Sequence, residues 1–182
     1  LSPYLGRNWS SNGDFLTPAI HAGRRVSPTE GVTISGAIDF VEQGLNGERF
    51  FIQDGGFPNV AAAWMQNNQA GSFDGSLARS FVEMIRTALR DGEEPSWNED
   101  PFSTIMPWFA QGQDNADGAL KLKRSFPAFW KRQLHLDWDI AGSEKTIATI
   151  IAKHEELARA TGGTPLVPLP WTLGRDLITP HP

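Results

Sequence analysis

Gln133-Leu134-His135-Leu136-Asp137-Trp138-Asp139-Ile140, continued from Ser143 to Gly163, is the stretch that decides the fold class. Its first part alternates, with Leu134, Leu136, Trp138 and Ile140 on one side and His135, Asp137 and Asp139 on the other, the period of a strand with one wet face. The second part changes period. Ile147, Ile150, Ile151, Leu157 and Ala158 make a helical stripe, Ser143 stands where an N-cap belongs, Glu144 lies beside the positive helix end, and Gly162-Gly163 stops the run.

Working outward, Asp117-Gly118 leads into Leu120-Lys121-Leu122-Lys123, a second strand. Ile105 to Ala110 reads as a third, with Pro107 placed at a sheet edge or a strand start because proline cannot donate to a ladder. Val32-Thr33-Ile34-Ser35 and Arg49-Phe50-Phe51-Ile52 read as an antiparallel pair, with Asn46-Gly47 as a hairpin-type turn between them. Residues 1–31, dense in Gly, Pro, Ser and Asn, read as irregular or short-stranded. Asn59 can cap a short helix carrying Val60, Ala63 and Trp64. Leu77, Phe81, Met84, Ile85, Ala88 and Leu89 predict an amphipathic helix from Ser76 to Arg90, followed by a polar loop from Glu93 to Pro101. The prolines from Pro165 onward force extended backbone. The expected fold class is therefore α+β, an antiparallel β-sheet with helices packed over one face.

Composition narrows the chemistry. The 182 residues suit a single domain, 40% of them hydrophobic, and a formal charge of -5 gives phosphate backbones no electrostatic pull, so nucleic acid is not an expected partner. There is no Cys, which removes disulfides and thiolate chemistry, and no apolar run of about 20 residues that would form a transmembrane segment. Seven Trp and eleven Phe supply either a core or the wall of an apolar pocket. The opening on Leu1-Ser2-Pro3 and the ending on Pro180-His181-Pro182 read as cuts through a longer chain.

Candidate chemical groups are few. His21, His135, His154 and His181 show none of the close spacings of a zinc site, so no metal is expected. His135, Asp137 and Asp139 read as solvated strand polarity, and His154 as a structural residue of the last helix. No nucleophile elbow, Walker loop or dinucleotide fingerprint occurs. Two segments stand out beyond composition: the glycine-punctuated loop from Leu5 to Asp14, and Thr179-Pro180-His181-Pro182, where a histidine sits between stiffening prolines.

Those segments resemble the glucose-methanol-choline (GMC) flavoproteins, in the bacterial branch similar to cholesterol oxidase. Gly6-Arg7-Asn8-Trp9 onward to Asn12-Gly13-Asp14 looks like the family passage that enters the substrate domain, and His181-Pro182 looks like the opening of its His-Pro-Leu-Gly-Gly signature. Glu48 to Pro58 and Gly112-Gln113-Asp114-Asn115-Ala116-Asp117-Gly118 look like further passages of bacterial members.

The resemblance implies that residues 1–182 are a single substrate-binding domain of an FAD-dependent oxidoreductase, whose FAD-binding Rossmann-like domain is not in this chain. The implied activity is hydride transfer from a CH-OH group to flavin N5, on a small-molecule alcohol, bulky or sterol-like given the aromatic content. It makes His181 the catalytic base, a role that suits an imidazole pKa of about 6.5, and puts Asn12 and Gly13 beside the cofactor. FAD is expected in the full-length protein and not bound to this fragment, which alone should be inactive. The Glu that cholesterol-oxidase-like enzymes use has no counterpart after Phe57-Pro58, where the chain reads Asn59-Val60-Ala61-Ala62-Ala63-Trp64. The runner-up is a stand-alone module that binds an apolar ligand without catalysis.

Overall fold

The computed structural model describes residues 2–11, 13–21, 24–59, 102–124 and 130–167. The helices expected after Asn59 and over 76–90, and the loop over 93–101, lie outside the described residues.

The strands of the main sheet are β1 (Asp14–Ile20), β2 (Ala37–Asp39), β3 (Phe50–Asp54), β4 (Ile105–Gly112) and β7 (Thr164–Pro165). They lie in the order β2-β3-β4-β1-β7, and every neighbouring pair is antiparallel. Strands β5 (Ala119–Arg124) and β6 (Arg132–Asp137) form a separate two-stranded ribbon. Helix α1 (Glu144–Ala160) packs across β1, β4 and β7, covering one face of the sheet. The fold is α+β with an antiparallel sheet, as the alternation and the helical stripe require.

The core follows from two periods meeting. Phe15 and Ile52 both lie directly opposite Ala110 of β4, so a small residue on the middle strand is flanked by two large ones. Ile147, Ile150 and Ile151 of α1 pack onto this row together with Phe50. Gly112 lets the helix come close, since a Cβ there would stand 2.8 Å from Thr146 Cγ2 and 3.1 Å from Ile150 Cδ1. Burying each large aliphatic or aromatic side chain contributes about 1.5–3 kcal/mol.

Several sequence expectations shift. Residues 1–31 contain β1, a seven-residue strand inside the sheet. Its Phe15, Thr17, Ala19 and Ile20 are all buried, so it lacks the in-out alternation that identifies a strand in sequence. The first hairpin strand is Ala37–Asp39 rather than 32–35, because Asp54 takes hydrogen bonds from the backbone of Ser35 and Gly36 and from the Ser35 hydroxyl, diverting that stretch into a turn. Asn46-Gly47 does make the tight turn, both residues having positive φ, closed by reciprocal bonds between Leu45 and Glu48. Pro107 lies neither at a sheet edge nor at a strand start, since β4 is the middle strand. Strand β6 ends at Asp137, and Asp139 caps a 3-10 turn over Ile140–Ser143 by accepting from Ala141 N–H. Ser143 holds the N-cap position of α1 without a side-chain capping bond.

Candidate functional site

Gly112, at the end of β4, is where the chain's widely separated polar loops meet. Residues 6–11 and Gly13 lie antiparallel beside 112–120. Leu120 N–H donates to Gly6 O at 2.7 Å, Trp9 and Gly118 exchange bonds of 2.9 and 3.1 Å, and Gly112 N–H donates to Gly13 O at 3.0 Å. On the other side of β4, Phe50 lies opposite Gly112, and Gln113 N–H donates to Arg49 O. Trp9 meets Trp138 edge to face at 5.4 Å, closing the arrangement beneath the ribbon.

Asp114 organises this corner. Its carboxylate accepts from Ser10 Oγ at 2.8 Å, Ser11 N–H at 2.8 Å, Ser11 Oγ at 3.2 Å and Ala116 N–H at 3.0 Å. Burial opposes its ionisation, but the donors of Ser10, Ser11 and Ala116 outweigh that and hold its pKa below the ordinary carboxylate value. A carboxylate committed to four donors pins the loop and leaves little lone-pair capacity for proton transfer.

A cleft of about 20 Å³ opens beside it, lined by Ser11, Gly13, Asp14, Trp138, Ser143 and Thr146 among others. That is space for one water molecule. Trp138 Nε1–H lines it without a hydrogen-bond partner. Next to it, Glu48 accepts from Thr146 Oγ1 at 2.5 Å and pairs with Lys145 at 2.7 Å; those two partners keep the Glu48 carboxyl below its usual range.

Of the residues singled out by sequence, Gly13 is here, while Asn12 and His181 lie outside the described residues. Gly13 has φ of +64°, and a Cβ on it would stand 1.8 Å from Gly112 O, so no other residue fits. Its N–H donates to Ser11 Oγ and its C=O accepts from Gly112 N–H, so both of its backbone groups are used within the chain. Gly13 also lines the water-sized cleft.

Asp114, Glu48 and His21 were not visible as structural centres in the sequence. Asp114-x-Ala116 is an Asx-type turn that could have been read locally; the partners of the other two come from distant segments. His21 is buried at the end of β1, with Nε2 3.0 Å from Thr161 Oγ1. The Thr161 hydroxyl is also within reach of Leu157 O and Ala158 O, which ties the His21 ring to the end of α1. Burial, then Arg24, lowers the His21 pKa. His154 is fully buried with neither ring nitrogen bonded, and burial lowers its pKa to about 4. His135 is exposed on β6. Among the described residues, no three His, Asp or Glu side chains gather as a metal site.

No protein-family model matches the chain, and no curated protein matches it.

Proposed function

We propose that this chain forms the substrate-binding part of an FAD-dependent oxidoreductase that acts on the CH-OH group of a small-molecule alcohol. One observation carries the reading. Three stretches that resemble GMC flavoproteins, around Gly6–Asp14, Glu48–Pro58 and Gly112–Gly118, are far apart in sequence, yet the first two are each bonded to the third beside Gly112. An accidental likeness gives no reason for such convergence. The antiparallel sheet with a helix over one face also suits a substrate domain.

In this reading the flavin belongs to a separate domain, and the chain's own contribution is substrate walls and proton handling. His181 is the base that takes the hydroxyl proton. Asp114 and Gly13 fix the loop that enters the sheet.

The test is a visible absorption spectrum of the full-length gene product, followed by anaerobic addition of alcohols including sterols. Flavin bands that bleach with an alcohol, and fail to bleach in His181→Ala, are the expected result. A colourless full-length protein overturns the proposal, and one that still binds apolar ligands is a non-catalytic binding module instead.

A further inference from the structure

The ribbon of β5 and β6 differs in character from the rest of the molecule. Five cationic side chains, Lys121, Lys123, Arg124, Lys131 and Arg132, and a single carboxylate, Asp137, fall within 119–137, in a chain whose formal charge is -5. Lys121 is paired with Asp137. Lys123, Arg124, Lys131 and Arg132 have no ion-pair partner among the described residues. Arg124 and Arg132 stand directly opposite each other across the ribbon. Like charges in that position destabilise a strand pair unless an anion lies between them.

The same face carries apolar side chains. Leu122 lies opposite Leu134, one step along from the arginine pair, and they are 63% and 67% exposed; Trp130, in the turn two residues before β6 begins, is 79% exposed. From base to tip the face runs from half-buried Leu120 and Leu136, through the open leucine pair, to the two guanidinium groups. Hydrocarbon beside phosphate-seeking cations is the chemistry of a bilayer surface, with Trp at the interfacial depth where its amphipathic ring is favoured.

We propose that this ribbon docks on a lipid bilayer bearing anionic headgroups, with Leu122, Leu134 and Trp130 at the acyl boundary and Arg124 and Arg132 on lipid phosphates. A nucleic acid answers the cations but offers nothing to the two leucines. The proposal rests on the ribbon alone and stands or falls independently of the oxidoreductase reading.

The test is co-sedimentation of the full-length protein with vesicles of phosphatidylcholine alone or with about a third phosphatidylglycerol, in about 0.05 M and about 0.5 M NaCl. Binding is expected only to the mixed vesicles and mainly at low salt. Arg124→Gln/Arg132→Gln should weaken it roughly thirtyfold, at about one kilocalorie per cation. Leu122→Ser/Leu134→Ser should weaken binding while leaving its salt dependence in place. All four positions are exposed, and circular dichroism verifies that the variants fold. Equal sedimentation with both vesicle types, an unchanged arginine variant, or a short single-stranded oligonucleotide that competes as well at matched phosphate concentration would each overturn the proposal.

Discussion

Pro18 of β1 and Pro107 of β4 face each other in the middle of the sheet, and neither breaks a ladder bond between their strands. Each carbonyl points away from the other: Pro18 O accepts from Leu166 N–H at 2.8 Å and Pro107 O from Gly55 N–H at 2.8 Å. The two prolines therefore form a non-hydrogen-bonded pair, where neither strand needs an N–H toward the other. Moving a proline by one residue should reverse this tolerance. Pro18→Ala is expected to change stability by less than about 1 kcal/mol, whereas Thr17→Pro, which deletes a donor to β4, should cost about 3 kcal/mol or more. Urea denaturation of both variants checks it, and similar midpoints would contradict the pairing.

Gly13 and Gly112 are a second exclusive pair. Gly13→Ala puts a methyl 1.8 Å from a backbone carbonyl and also strains a φ of +64°. A loss of about 2–4 kcal/mol is expected, read as a lowered melting temperature. Gly31→Ala is the control, since a Cβ there meets nothing within 4 Å and only its positive φ is strained; it should cost about 1 kcal/mol.

These pairs also explain what the sequence could and could not reveal. Alternation over 133–140 and the isoleucine stripe of α1 are local signals; the helix appears where its period puts it, while the strand stops at Asp137 and leaves Leu134 exposed. Strand β1 was hidden because five of its seven residues are buried, on both sides of the strand, which erases alternation, and because Pro18 is harmless only opposite Pro107, a partner far along the chain. The site was legible in part for the same reason. The quoted loops were identified, but Asp114 as their joint depends on Ser10 and Ser11 arriving from a segment about a hundred residues away.

Asp114→Ala removes the acceptor for four donors at once, three of them partly buried. Hydrogen bonds to a charged group are worth about 1.5–3 kcal/mol, and the orphaned Ser11 N–H adds to the loss. The expected cost is about 3 kcal/mol, with hydrogen exchange accelerated at Ser11, Gly13 and Ala116. Unchanged protection of those amides would show that the loop is held by other contacts.

His154 gives the chain a pH dependence whose sign is fixed by its burial. An unfolded chain takes up a proton near the ordinary value of 6.5, whereas the native imidazole, desolvated and without a partner, resists until about 4. The unfolded state thus binds more protons between those values, so stability is full above 6.5 and is lost as pH falls toward 4. About 2 kcal/mol should disappear between roughly pH 7 and pH 5. Asp114 and Glu48 act lower: with pKa values held down in the fold, they contribute stability above the unfolded carboxylate value that fades only as pH drops through the native one. Urea midpoints measured across this range should slope for the native sequence and flatten for His154→Leu, which keeps the volume without the proton. An equal slope in both proteins would assign the pH dependence to another group.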